Sequence, residues 1–254
     1  MKKAIIIVSI FALIASNCGQ NNTKKNVEVE INEVTDVTEV IEVIEVSDVY
    51  PQLIKAIETD NKSVFDELIN QIPDIDTLIQ VNADDHFYTL LGYACKYKRC
   101  HLAEKLINLK ADIETGASDE ILVFDALSVA VQSEDLCLVK LLLNNGANPN
   151  RWNSESGYTV LSLSCSLNNY DISKLLIESG AEVDGEGDTG FGYIHYPLLH
   201  AVESDNIKLV QLLIDNNCTI DINDNQGGTP FTIAENNENQ EILDLLTKTI
   251  SLRR

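Results

Sequence analysis

"LLLNNGANPN" (141–150) closes one segment of the chain, and "LLIESGAEVD" (175–184) closes another thirty-four residues later. Looser copies flank them, "EKLINLKADIE" (104–114) before and "VQLLIDNNCTID" (210–221) after. Upstream of each stands a second recurring phrase: "YTLLGYAC" (88–95), "DALSVAV" (125–131), "YTVLSLSC" (158–165), "YPLLHAV" (196–202) and "GTPFTIA" (228–234). A weaker first copy, "PQLIKAIETDN", begins at Pro51. Taking Pro51, Thr89, Asp125, Thr159, Tyr196 and Thr229 as equivalent points gives steps of 38, 36, 34, 37 and 33. Self-similarity at such a period marks an array of supersecondary units, each unable to bury its apolar face alone.

Within a unit the residue chemistry specifies two helices. Leu91, Ala94 and Cys95 set small and apolar side chains on one helical face. A polar turn follows, Asn168-Asn169 in one copy and Asp205-Asn206 in another. Leu209, Val210, Leu212 and Leu213 then give a second helix its apolar stripe. Gly146 and Gly180 end that helix in the left-handed conformation, where a Cβ is costly; Asn217 substitutes there, and Lys110 is a poorer choice.

The near-33 period and both phrases resemble the ankyrin repeat over residues 48–250, in six units. Thr229-Pro230 and the closing Gly146-Ala147 and Gly180-Ala181 are the nearest matches. The first copy departs, with Ile72-Pro73 in place of Gly-Ala, and the last ends without one. The resemblance implies an all-α solenoid of about six helix-turn-helix units, with connectors projecting as fingers. It also implies that a protein partner binds the fingers and the concave face of the inner helices.

The fingers are 82–88, 115–124, 151–158, 185–195 and 222–228, and they hold much of the aromatic content. Trp, Tyr and Arg are enriched at binding hot spots. Arg151, Trp152, Phe191, Tyr193 and His195 are therefore the expected contact residues. Phe87, Tyr158 and Tyr196 are more simply read as covers over helix ends.

Ahead of the array, "MKKAIIIVSIFALIASNCGQ" combines Lys2 and Lys3 with the apolar run 4–15 and small residues before Cys18. That is the layout of an exported leader, 1–17. Ala15-Ser16-Asn17-Cys18 resembles a bacterial lipoprotein box, although the usual Leu and Gly or Ala are replaced by Ala15 and Asn17. The resemblance implies cleavage before Cys18 and lipidation of its thiol. Several acyl chains, each buried methylene contributing about 0.8 kcal/mol, hold a protein on a membrane without spanning it. The expected location is the cell-envelope membrane, with a periplasmic or secreted protein as the alternative.

Residues 18–47 contain an acidic residue at every third position from Glu30 to Glu45, each followed by Val or Ile. Period three suits neither strand nor helix, and like charges extend the chain. This segment is expected to be a disordered tether. The low-complexity stretch 27–49, which overlaps its end, reaches at most about 75 Å.

The formal charge is −22, which repels nucleic acid and anionic lipid and favours a neutral or basic protein partner. No cofactor or metal is expected. Gly185, Gly187 and Gly190 match a dinucleotide fingerprint but follow a helix rather than a strand. Asp221, Asn223 and Asn225 begin like a calcium loop, yet Gln226 takes the Gly position and Thr232 the Glu position. His86, His101, His195 and His200 share no ligand spacing, although His195 and His200 can approach one another.

Cys95 and Cys165 occupy one buried slot; Cys100 and Cys137 lie elsewhere in their units, so no cysteine cluster is expected. Five thiols besides Cys18 sit uneasily with an oxidising compartment unless they are buried. No G-x-S-x-G or H-E-x-x-H occurs. The sequence thus points to a protein-binding scaffold, held in the envelope by a lipid. The alternative is an immunity-type inhibitor that blocks a basic toxin or enzyme; an enzyme is the third and least supported reading.

Overall fold

Thr89, Asp125, Thr159 and Thr229 each stand in extended backbone and accept a hydrogen bond from the amide three residues on, at 2.9–3.1 Å. These are N-caps, and each starts a short first helix: α3 (Leu90–Lys96), α5 (Ala126–Gln132), α7 (Val160–Ser166) and α11 (Pro230–Asn236). Tyr196 makes no such bond, but α9 (Pro197–Glu203) opens on a proline, which has no N–H to satisfy. The computed structural model describes residues 5–7, 49–80, 87–115, 125–151, 157–185, 195–224 and 227–253.

Nine residues after each of these starting points the chain turns through positive φ, at Lys98, Glu134, Asn168, Asp205 and Glu238. Asp60 does the same after α1 (Val49–Glu58). The following residue caps the second helix. Asn61, Asp135, Asn169, Asn206 and Asn239 each accept an amide hydrogen bond at the start of α2 (Lys62–Leu68), α6 (Leu136–Asn144), α8 (Tyr170–Glu178), α10 (Ile207–Asp215) and α12 (Gln240–Arg253). Arg99 is the exception before α4 (Cys100–Asn108). Its guanidinium instead donates to the carbonyls of Ile57 (3.1 Å) and Glu58 (2.6 Å), capping the preceding unit's first helix. Arg253 treats α10 similarly, donating to Ile214 and Cys218 carbonyls at 2.9 and 2.6 Å.

The Gly-Ala phrase is a Schellman closure. Gly146 N–H donates to Leu143 O and Ala147 N–H to Leu142 O, both at 3.1 Å. Gly180 and Ala181 repeat the pair on α8, and Asn217 and Cys218 on α10. Lys110 and Ala111 do so on α4, with Lys110 at φ +71 despite its side chain. The residue after the left-handed position is buried in every case, so it must be small. Four residues before that position lie Leu106, Leu142, Leu176 and Leu213, all wholly buried. One leucine per layer therefore builds a continuous spine, and first helices stack on first, second on second.

Side chains also tie layer to layer. Asp76, Glu114 and Asn150 accept the amides of Asp112, Asn148 and Glu182 at 2.8–3.0 Å. Asp184 takes both the amide and hydroxyl of Thr219 at 2.6 Å. On the turn edge Asn169 donates to Glu134, Asn206 to Asn168 and Asn239 to Asp205.

Two features depart from the sequence expectations. Cys100 and Cys137 form a disulfide, with Cα atoms 6.3 Å apart. They occupy slots one position out of phase, which is why the sequence reading kept them apart. The first turns of α4 and α6 are neighbours, and adjacent slots still meet across the layers. The second departure is β structure. β2 (Leu78–Gln80) bridges antiparallel to Tyr88 through Ile79, with N–O distances of 2.9 and 3.1 Å. β1 (Ile5–Ile7), inside the expected leader, pairs parallel to β2 with Ile6 opposite Ile79. Three consecutive isoleucines are strong strand formers, and β2 offers them an edge. Residues 8–48, including Cys18 and the whole of the expected tether, lie outside the described residues.

Candidate partner-binding site

The residue just before each first-helix cap stands at the root of a finger. Tyr88, Tyr158 and His195 all hold that position. Since units stack in register, rings in successive layers can meet. Tyr158 and His195 do so: their rings stack with centroids 3.8 Å apart and planes 15° apart. His200, on α9, extends the group, its centroid 5.2 Å from Tyr158 and 5.4 Å from His195.

Polar contacts fix the orientation. His195 Nδ1 lies 3.3 Å from His200 Nε2, and His200 Nδ1 lies 2.9 Å from a Glu203 carboxylate oxygen. The Glu203 carboxylate accepts from His200 Nδ1, which leaves His200 Nε2 facing His195 Nδ1. Burial, then the negative charge of Glu203, pushes the Tyr158 phenol above its usual range. The three half-buried rings form one cluster that ends in the exposed Glu203 carboxylate.

The finger roots hold this surface in place. Gly157 turns at φ +70, and Val160 N–H donates to Arg151 O at 3.3 Å, joining the two ends of the 151–158 finger. Gly185 opens the next finger at φ +60, where an added Cβ would sit 3.2 Å from Thr159 Oγ1. Arg151 itself points back along the array, its Nε 3.3 Å from a Glu114 carboxylate that also accepts the Asn148 amide. Of the expected contact residues, the structure thus places Arg151 and His195 at neighbouring finger roots. Trp152, Phe191 and Tyr193 lie outside the described residues.

Sequence reasoning allows His195 and His200 to approach one another but misses Tyr158 and Glu203 as their partners. It reads Tyr158 as a cover over a helix end. The signal was present: Tyr158 and His195 are each one residue before equivalent points of consecutive units. His200 stands four residues into its unit, as Tyr93 does in an earlier one. Among the described residues, no group of three or more His, Cys, Asp or Glu is placed to hold a metal ion.

A second surface lies on the second helices. Tyr170, Ile207, Leu212 and Leu245 floor a groove of about 550 Å³ across α8, α10 and α12, with Lys208, Lys248, Asp215 and Asp244 on its rim. None of its lining residues belongs to a finger.

The family model for ankyrin repeats (three copies) matches residues 127–196 and 188–253, half of the chain. With the capped helix pairs and Schellman closures described above, the chain belongs to the ankyrin-repeat family. An ankyrin repeat protein of Acanthamoeba polyphaga mimivirus is 28% identical over 195 residues, covering 74% of this chain and 24% of that protein. One from fowlpox virus is 33% identical over 121 residues, covering 47% of this chain and 36% of its own. The ankyrin repeat and KH domain-containing protein mask-1 of Caenorhabditis elegans is 29% identical over 131 residues, covering 52% of this chain and 5% of its own. The chain therefore spans only about a quarter to a third of the two viral relatives.

Proposed function

We propose that the chain is a protein-binding scaffold that grips its partner along the first helices and finger roots. The observation that carries this reading is the Tyr158–His195–His200 stack. It gathers three half-buried ring side chains at the roots of two fingers, with Arg151 at the start of one of them. Aromatic rings already held in place supply contact area at low conformational cost. The experiment is affinity measurement with His195→Ala and Tyr158→Ala. Each is expected to weaken binding at least about tenfold, as hot-spot truncations do, while the far-UV signal and melting stay unchanged. Undiminished affinity in both variants overturns the reading.

The scaffold is held at the envelope membrane by lipid on Cys18, the acidic tether lifting the array from the surface. Support comes from the basic and apolar leader and from cysteine usage. Two of the cysteines beyond Cys18 are paired and three are buried, an inventory suited to an oxidising compartment. The strand β1 then belongs to the precursor and leaves with the leader. Mass spectrometry of the membrane fraction tests this: an acylated chain starting at Cys18 is expected, and a Cys18→Ser variant should lose its membrane association. A chain that retains residues 5–7 in the purified protein contradicts it.

The second reading, an inhibitor of a basic toxin or enzyme, is favoured by the charge of −22. Acidic surfaces raise association rates with basic targets, and salt removes that advantage. Tight, salt-sensitive capture of one basic protein, with loss of that protein's activity, distinguishes it from a general envelope scaffold.

A further inference from the structure

We propose that the Cys100–Cys137 disulfide is a redox latch that fastens the two N-terminal repeats to the remainder of the array. The inference stands apart from what the array binds, because the latch lies on α4 and α6 and the ring stack lies two units further on.

Three observations converge on it. The first is selectivity. Cys100 is half-buried and Cys137 exposed, whereas Cys95, Cys165 and Cys218 are buried. Burial pushes the thiols of Cys165 and Cys218 up to about 12 and that of Cys95 higher still. Thiolate is the reacting species, so the three buried thiols stay inert, and the solvent-facing pair is the one that a reagent reaches.

The second observation is location. The two units at the N-terminal side of the latch are irregular. The family match begins only at residue 127. Lys110 holds the left-handed closing position without a glycine, and Arg99 replaces the Asn or Asp cap. The first unit closes with Ile72-Pro73 after a single 3₁₀ turn, Ile69–Gln71.

The third is energetic. In a stacked array each unit leans only on its neighbours, so irregular end units fray first. A bridge with a sequence separation of 37 residues, placed across the boundary between the second and third units, limits the freedom of the frayed chain there and nowhere else. Closing it requires an acceptor of thiol–disulfide exchange. A disulfide-form oxidant takes two electrons and two protons from Cys100 and Cys137 and leaves as two thiols, while one S–S bond forms. Reduction by a dithiol reverses the same balance.

The test uses the full chain, prepared without reductant. Peptide mapping after alkylation in denaturant should find a Cys100–Cys137 crosslink and unlinked Cys95, Cys165 and Cys218. Hydrogen exchange is then followed with and without a phosphine reductant. Reduction should lower amide protection in 49–108 by at least about tenfold and leave 197–253 unchanged. A Cys100→Ala/Cys137→Ala double variant should exchange like the reduced protein and ignore the reductant. Free thiols at both positions in protein prepared without reductant overturn the proposal, as does a reduction effect that is absent or uniform along the array. The comparison of oxidised and reduced wild type needs no variant, so a double variant that fails to fold leaves the test intact.

Discussion

Leu142→Ala is the substitution that most directly weighs stacking energy. Leu142 is wholly buried on α6, which packs between α4 and α8. The change removes three carbons, worth about 2.5 kcal/mol of transfer free energy at roughly 0.8 per methylene. A residual cavity of about 50 Å³ adds about 1 kcal/mol. The expected loss is about 3–4 kcal/mol, read from urea unfolding by far-UV circular dichroism. Leu246 is equally buried but lies on the terminal helix α12. Leu246→Ala removes the same atoms, yet only the last unit should fray, leaving the main midpoint nearly in place. Leu142→Ala, by contrast, weakens the link between the two halves and should shift the main transition and flatten its slope. Identical shifts and unchanged slopes for the two variants would refute nearest-neighbour stacking and favour one undivided core.

Three further outcomes are expected. Arg99→Met removes both guanidinium bonds to the end of α1 and should cost about 2 kcal/mol, with faster amide exchange confined to residues 49–68; a uniform effect contradicts the capping role. The buried thiols are raised from 9.0 to about 12 at Cys165 and Cys218. The stability they contribute is therefore complete below pH 9 and declines as the pH climbs toward 12, because the unfolded chain ionises first. Between pH 8 and pH 10, Cys165→Ala should show a stability loss smaller than the wild type's by about 1.4 kcal/mol, measured by urea titration at each pH. Gly185→Ala adds a Cβ 3.2 Å from Thr159 Oγ1 at φ +60; a cost of about 1–2 kcal/mol and weakened partner binding are expected in thermal melts and titration.

Much of the array was legible because its turns demand particular residues. The Gly-Ala closures, the Asn and Asp caps and the Thr starts each answer a backbone need, so they recur where the geometry recurs. The left-handed turns at Lys98 and Glu134 were not legible, since neither residue advertises positive φ; register with Asn168 and Asp205 is what betrays them. The disulfide escaped for a similar reason: Cys100 and Cys137 differ by one position in their units, and only the packing of two helix starts unites them. The ring stack was half seen. His195 was chosen for its finger, but Tyr158 lies a whole repeat away and becomes its neighbour only through stacking. The antiparallel bridge at Ile79 and Tyr88 has no counterpart in the repeat phrases and could not be read from them.

The central claim is that the finger-root face does the gripping. Hydrogen–deuterium exchange of the chain, free and saturated with a captured partner, measures it directly. Protection is expected across 157–163 and 195–203, around Tyr158, His195 and His200. Protection confined to the second helices, around Tyr170, Leu212 and Leu245, would contradict the account.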